Sequence, residues 1–226
     1  MTGVELQIRR VIDRLIRDGA KVAREDGSRN ELFQIAVPPA LGEALGKWVR
    51  RENARRTVEI GLAYGISALY ICEALVAGGT AEVRHVAIDP YQTHGPDGRG
   101  FASSGLQHLE EAGLASIVEH HEEESQIALP RLLAQGRTFD LAFIDGNHRF
   151  ERVFLDLYYL GRLVRPGGVI VLDDYDLPGI ARAVSFFLAN LGWELEDVAE
   201  ADGHRWAAVR TSKTEDTRHF AYFVDF

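Results

Sequence analysis

From residue 57 onward, short apolar runs alternate with stretches of helical periodicity, and this alternation restricts the chain to very few architectures. Residues 57–60, 83–88, 117–120, 139–144 and 169–172 read as strands, and the last two are nearly all apolar, as in strands buried on both faces. Residues 67–77, 130–135, 150–164 and 180–191 read as helices, and another starts at Ser104, with Gln107 at the capping-box position and Gly113 as its stop. A strand–helix rhythm of this kind implies a parallel sheet with right-handed crossovers. The ending differs: residues 193–198 and 205–210 flank the polar turn 200–204, and residues 165–168 form a turn before the strand at 169. The expected fold is α/β, a doubly wound, mostly parallel seven-stranded sheet with an antiparallel C-terminal hairpin.

Ahead of the sheet, Val4, Ile8, Val11, Ile12, Leu15 and Ile16 recur at helical spacing, residues 24–30 read as a loop, and Pro38-Pro39 opens a second helix through Trp48 and Val49. This divides the chain into N-terminal helices (1–50) capping the site, a core (51–212) and an apolar tail (213–226). The tail is expected to pack on the domain or on a second copy in a homodimer. The chain has 226 residues, 46% hydrophobic and 26% charged, enough for a full core without a disulfide or metal. The single cysteine, Cys72, reads as a buried thiol in a reducing cytoplasm. No apolar run approaches the ~20 residues that span a bilayer, and residues 1–15 lack a signal-peptide core. A formal net charge of −9 argues against nucleic acid and acidic membranes as partners. Arg50, Arg51, Arg55 and Arg56 are the local exception, read as a solvated helix end and linker.

Ligands of doubly wound sheets sit beyond the carboxyl ends of the strands, near the switch point. The first strand leads into Glu59-Ile60-Gly61-Leu62-Ala63-Tyr64-Gly65-Ile66-Ser67. Gly61 and Gly65 permit a sharp turn and close backbone approach, and Ser67 is placed to cap a helix whose N-terminal amides face the ligand. A ligand-free strand-to-helix turn carries glycines in the same way. The segment lacks the dinucleotide fingerprint Gly-x-Gly-x-x-Gly, which weighs against an NAD-linked oxidoreductase. A carboxylate two residues before the first glycine suits a cationic aminoacyl sulfonium better than a pyrophosphate. Tyr64 is expected to pack on the cofactor, as a cation–π contact or a lid. Asp89, at the tip of the second strand, is placed to hold a ribose or to open the turn at Pro90. The run Glu122-Glu123-Glu124-Ser125 follows the third strand, where an adenine edge can be read or a solvated loop can lie.

Asp145 ends the strand at 139–144, and Asp173 and Asp174 end the one at 169–172. Neighbouring strands lie about 5 Å apart, so the three carboxylates converge and call for a cation, unless they cap loops and face water. Hard oxygen ligands without clustered sulfur favour Mg²⁺ or Ca²⁺ over zinc. His148, three residues past Asp145, has the pKa of a general base near neutrality, or belongs to a polar loop.

Together these segments resemble the class I S-adenosylmethionine-dependent methyltransferases. More narrowly, they resemble the bacterial O-methyltransferase branch with catechol-type and macrolide- or sugar-modifying members. The resemblance spans roughly residues 35–192 and rests on Val58-Glu59-Ile60-Gly61…Gly65-Ile66-Ser67, Ile88-Asp89-Pro90, Phe143-Ile144-Asp145-Gly146-Asn147-His148 and Pro166-Gly167-Gly168…Asp173-Asp174-Tyr175. It implies S-adenosylmethionine on the Rossmann-like fold. The aminoacyl end lies near Glu59, Gly61, Leu62, Tyr64, Gly65 and Ser67, the ribose on Asp89, and adenine near Glu124 and Ser125. Asp145, Asp173 and Asp174 match the divalent-metal triad, with Asp145 also at the cofactor's edge and His148 and Asp145 as catalytic groups. Catechol-type members carry Asn where this chain has Asp174 and a lysine base where it has His148. The implied reaction is methyl transfer to a hydroxyl of a small molecule with Mg²⁺ assistance; the alternatives are a metal-independent methyltransferase acting on nitrogen or RNA and, further off, the oxidoreductase. The acceptor pocket is expected to be shaped by the N-terminal helix, residues 91–101 and residues 175–179.

Overall fold

The computed structural model describes residues 2–18, 21–23, 29–31, 36–79, 82–94 and 100–226. Helix α1 (Gly3–Arg17) is followed by β1 (Lys21–Ala23) and β2 (Arg29–Glu31), which pair antiparallel. Residues 29 and 30, expected in a loop, therefore belong to a strand, while 24–28 lie outside the described residues. Helix α2 (Pro39–Arg51) starts with Pro39 in its first turn, where the missing amide costs nothing.

The core runs β3 (Arg56–Ile60), α3 (Ile66–Ala77), β4 (Arg84–Ile88), α4 (Ser104–Glu111), β5 (Val118–His121), α5 (Ser125–Ala134), β6 (Phe139–Ile144), α6 (Phe150–Leu163), β7 (Val164–Leu172), α7 (Pro178–Leu191), β8 (Glu194–Ala201) and β9 (His204–Arg210). The seven strands lie in the order β5-β4-β3-β6-β7-β9-β8. β5 through β7 are parallel, β9 is antiparallel to β7, and β8 is antiparallel to β9. This is the expected doubly wound sheet with its antiparallel C-terminal hairpin.

Side-chain alternation explains why the central strands read as continuous apolar runs. Leu141, Phe143, Val169 and Val171 point into a core with α1–α4, while Ala142, Ile144, Ile170 and Leu172 point into a second core with α5–α7. Helix α3 is buried from Ile66 to Leu75 because α1 and α2 cover the side that the sheet does not, so it needs no polar face. Arg9 ties α1 down, donating to Glu73 at 2.7 Å and to Glu43 at 2.9 Å. Cys72 is fully buried, and burial followed by the nearby Glu59 charge pushes its thiol well up, leaving it inert.

Several local expectations need correction. Gly65, with φ +81°, caps α3; Ser67 is the second residue of the helix and makes no cap. Ser103, at φ +55°, occupies the cap position of α4 in place of Ser104, again without a side-chain cap bond. α5 begins at Ser125 rather than near Pro130; the proline sits inside it, leaving the Gln126 carbonyl without its usual helical donor. Residues 165–168 belong to β7, because Val164 already pairs with Phe139 across an irregularity in register. The arginine cluster, by contrast, is exposed as expected at Arg50, Arg51, Arg55 and Arg56. Arg51 lies over the Trp48 ring at 4.6 Å and pairs with Glu196, and the Arg55 and Arg56 amides donate to Asp140 at 2.8 and 2.9 Å. The tail turns back onto α7, where the Asn190 side chain exchanges two 2.8 Å hydrogen bonds with the Val224 backbone and Phe226 packs on Phe186.

Candidate active site

The four central strands end in one row. Ile60 is level with Ile88 and with Ile144, Ile88 with His121, and Ile144 with Leu172. The next residues, Gly61, Asp89, Asp145 and Asp173, therefore emerge side by side, and their amides continue the ladder: Gly61 donates to Ile88, Asp89 to His121, Asp145 to Ile60 and Asp173 to Ile144. Segments as distant in sequence as Gly61 and Asp173 converge because register makes them neighbours. Above this row opens a cavity of about 390 Å³.

One wall is the glycine turn, contributing Gly61 and Ala63. Gly61 has φ +94°, and a Cβ there would overlap the Asp145 carbonyl oxygen, so only glycine lets β3 and β6 approach at this level. Asp89 braces the turn from below. Its Oδ2 accepts from the Leu62 and Ala63 amides at 3.0 and 2.7 Å, and its Oδ1 from the Tyr91 amide at 2.7 Å. Asp89 still borders the cavity, beside Tyr91 and Phe101.

Glu59 does not. It is fully buried, accepts from the Ser67 hydroxyl at 2.8 Å and lies 3.2 Å from His85 Nε2. Ser67 thus anchors the start of α3 to β3. Leu62, Tyr64 and Gly65 are likewise absent from the cavity lining among the described residues. Tyr64 is inside the protein, edge-to-face with Phe101 at 5.2 Å, rather than a lid. The expected aminoacyl contacts therefore divide: Gly61 faces the cavity, and the others build the turn that presents it.

The opposite wall comes from the start of α5, with Glu124, Ser125 and Gln126, and from Arg152 on α6. Arg152 donates to Glu124 at 2.8 Å, so this part of the acidic run is neutralised and ordered.

On the floor, Asp145, His148, Asp173, Asp174 and His204 meet. His148 Nε2 is 3.2 Å from Asp174 and 3.7 Å from Asp145. His204 Nδ1 is 3.2 Å from Asp173 Oδ2. The other Asp173 oxygen is buried with no hydrogen-bond partner among the described residues. Asp174 has φ +52°, a left-handed conformation that an aspartate tolerates at a cost. Burial pushes the Asp145 carboxyl up to about 7, opposed by the nearby His148 and helped by Asp173 and Asp174. Burial likewise raises Asp173, and the adjacent Asp145 and Asp174 carboxylates raise His148. Two overlapping sets, Asp145/His148/Asp174 and Asp173/Asp174/His204, each bring one donor atom per residue within 4.8 Å of one another. An orphaned buried carboxylate oxygen and converging acidic groups call for a compensating positive charge. The donors, carboxylates with imidazole, fit a divalent cation.

Sequence reasoning found the three aspartates and His148 but missed His204, which it placed in a polar turn. The signal lay in pairing: with Leu172 opposite Ala207, the antiparallel register sets residues 204–206 beside residues 173–175. Gln126 was missed because α5 was started too late, and Arg152, on a helix read correctly, because its partner Glu124 is a long-range neighbour. Residues 95–99 of the expected acceptor loop lie outside the described residues.

The model of a methyltransferase-domain family matches residues 58–175, more than half of the chain. The chain belongs to that methyltransferase-domain family. The match runs from the glycine turn to the residue after Asp174, so the family segment holds the cavity's floor except for His204. Rice (Oryza sativa subsp. japonica) tricin synthase 1 is 35% identical over 138 residues, covering 58% of this chain and 50% of the relative. A caffeoyl-CoA O-methyltransferase of Populus kitakamiensis is 28% identical over 145 residues, covering 63% and 56%. The methyltransferase-domain chain thus spans about half the length of the curated relatives it matches. Two solved structures share its fold. The O-methyltransferase TomG of Streptomyces achromogenes in complex with SAM has a TM-score of 0.64 at 23% identity, covering 94% and 91% of the two chains. A Bacillus cereus O-methyltransferase in complex with SAH has a TM-score of 0.65 at 19% identity, covering 93% and 92%.

Proposed function

We propose that the chain is an S-adenosylmethionine-dependent O-methyltransferase acting on a hydroxyl of a small molecule, with a divalent cation, Mg²⁺ foremost, held by Asp145, Asp173 and Asp174. The observation that carries this reading is the meeting of the glycine turn and the carboxylate–histidine cluster in one cavity. The curated relatives named for O-methylation and the solved relatives with SAM or SAH support the donor and the acceptor atom.

In this reading the sulfonium supplies an electrophilic methyl, and the cation, when bound, lowers the pKa of the acceptor hydroxyl. The protein's share is mainly alignment. Gly61 presents bare backbone to the aminoacyl end, and Asp89 holds the turn rigid and borders the ribose. Glu124 and Ser125, with Gln126, flank the adenine. His148, its basicity raised by Asp145, takes the acceptor proton at Nε2. In this reading residues 1–50 are an N-terminal cap, with α1 and α2 seated on α3, 51–212 form the catalytic core, and the tail 213–226 contributes a homodimer contact. Support for that contact is exposed apolar surface at Phe220 and Phe223. Among the described residues no helix is long and apolar enough to cross a membrane.

The test is calorimetric titration with S-adenosylhomocysteine, followed by a screen of phenol, sugar and polyol acceptors for methyl transfer with Mg²⁺ and with chelator. Saturable binding and metal-dependent O-methyl product are expected. No binding of S-adenosylhomocysteine, with binding of NAD instead, would overturn the reading; activity undiminished by chelation and by Asp145→Ala would overturn its metal part.

A further inference from the structure

Asp156 sits on α6 one helical turn after Arg152 and is 1% exposed. Neither of its carboxylate oxygens meets a hydrogen-bond partner among the described residues. An isolated buried carboxyl is costly, and nothing in the packing of α6 demands one: Val153, Leu157 and Leu160 around it are apolar and buried. Its polar neighbours are the Ser125 hydroxyl and, further off, the Arg152 guanidinium. Ser125 is the first residue of α5, whose N-terminus has no side-chain cap. The Ile127 and Ala128 amides return to the Glu124 carbonyl, leaving the Ser125 and Gln126 amides without a backbone acceptor. A carboxylate behind the first turn of a helix is favoured by those amides and by the helix dipole.

Two side chains of one α6 face therefore grip the same turn of α5. Arg152 holds Glu124 from the cavity side, and Asp156 stands behind Ser125 from the interior. That turn, residues 124–126, is the cavity wall opposite the glycine turn. We infer that Asp156 is a positioning residue that sets the first turn of α5, through the Ser125 hydroxyl, so that this turn recognises the purine edge of a bound nucleoside. The inference deepens the proposed function and rests on its reading of the cavity as an adenosyl site.

The grip acts on geometry rather than on the reacting atoms. Its loss should weaken binding of the nucleoside while leaving turnover at saturation unchanged. It should also blunt discrimination at the purine, because a displaced turn no longer aligns its amides with one edge. Asparagine keeps both shape and hydrogen-bonding capacity, whereas leucine fills the space without either.

The experiment is titration of the full chain and of Asp156→Asn, Asp156→Leu and Ser125→Ala with S-adenosylhomocysteine and with S-inosylhomocysteine, which carries an oxo group in place of the exocyclic amine. Folding is checked by circular dichroism. The leucine variant is expected to bind S-adenosylhomocysteine about tenfold more weakly and to lose most of the adenosyl-over-inosyl preference. Asparagine is expected to restore both, KM for the methyl donor to rise, and kcat to stay put. A wild-type protein that binds while the folded leucine variant binds equally, with the same preference, overturns the inference and leaves the cofactor reading standing. If the leucine variant does not fold, Ser125→Ala decides: S-adenosylhomocysteine affinity and adenosyl-over-inosyl preference both unchanged from wild type overturn the inference, and loss of both supports it. A wild-type protein that fails to bind S-adenosylhomocysteine overturns both.

Discussion

His204 Nδ1 stands 3.2 Å from Asp173 Oδ2, so a residue from the antiparallel edge hairpin completes a cluster otherwise built from parallel strands. Asp173 has no other side-chain partner among the described residues, and its second oxygen is orphaned. Removing His204 frees the carboxylate to move. His204→Ala should weaken divalent-cation binding by about 10-fold to 100-fold, the usual effect of losing a residue that orients a ligand. S-adenosylhomocysteine affinity should be unaffected. Titration with Mn²⁺ and then with the nucleoside separates the two, and unchanged Mn²⁺ affinity would count against a cation at Asp173.

Gly61→Ala meets two obstacles at once. The residue must hold φ +94°, and its new methyl must displace the Asp145 carbonyl. Left-handed strain alone costs about 1–3 kcal/mol. The variant should unfold at lower denaturant concentration and lose nucleoside and cation binding together, because one backbone contact joins the two subsites. A variant that lost only one of them would break that link.

Asp156 gives the stability curve a direction. Burial raises its carboxyl to about 7, against a smaller opposing effect from Ser125 and Arg152. The native state thus holds a proton that the unfolded chain releases near pH 4. The stabilisation from that proton is complete below about pH 4, falls as pH rises, and is gone above about pH 7. Asp156→Asn removes the ionisation, so its melting temperature relative to wild type should rise steadily between those limits and then level off. A difference flat in pH would show the native carboxyl to be ordinary.

Truncation before residue 219 removes the Val224 backbone from Asn190, which is 3% exposed and exchanges two hydrogen bonds with it. Uncovering that amide and the Phe186 ring should cost about 1–3 kcal/mol. Chemical denaturation measures this, and light scattering on the same samples reads whether the oligomeric state depends on the tail. An unchanged midpoint would mean that the docking contributes nothing.

Much of this was legible because it is periodic or sits at a strand end. Leu141 to Leu172 read as buried strands through their alternation into two cores, and Asp145, Asp173 and Gly61 stood out as the first residues beyond apolar runs. What was not legible depended on long-range pairing or on side-chain direction. Glu59 precedes the turn by two residues, yet the pleat turns it inward to Ser67 and His85. Tyr64 lies in the turn and is swallowed by Phe101. His204 is 30 residues from Asp174 in sequence and adjacent only after β9 inserts between β7 and β8. Ser125 was picked out as a candidate for the adenine edge, but its place as the first residue of α5 was not legible, because Pro130 was read as the helix start.

The in-register row at the sheet edge carries a mechanical consequence. Gly61, Asp89, Asp145 and Asp173 are each stitched to the neighbouring strand by the ladder itself, so the base of the cavity deforms only if the sheet does. Any breathing that admits a ligand must be carried by the rim, at residues 147–149 and the turn at 202–203. Amide exchange should be slowest along that row and fast around the rim, making the pocket a stiff anvil with a pliant rim.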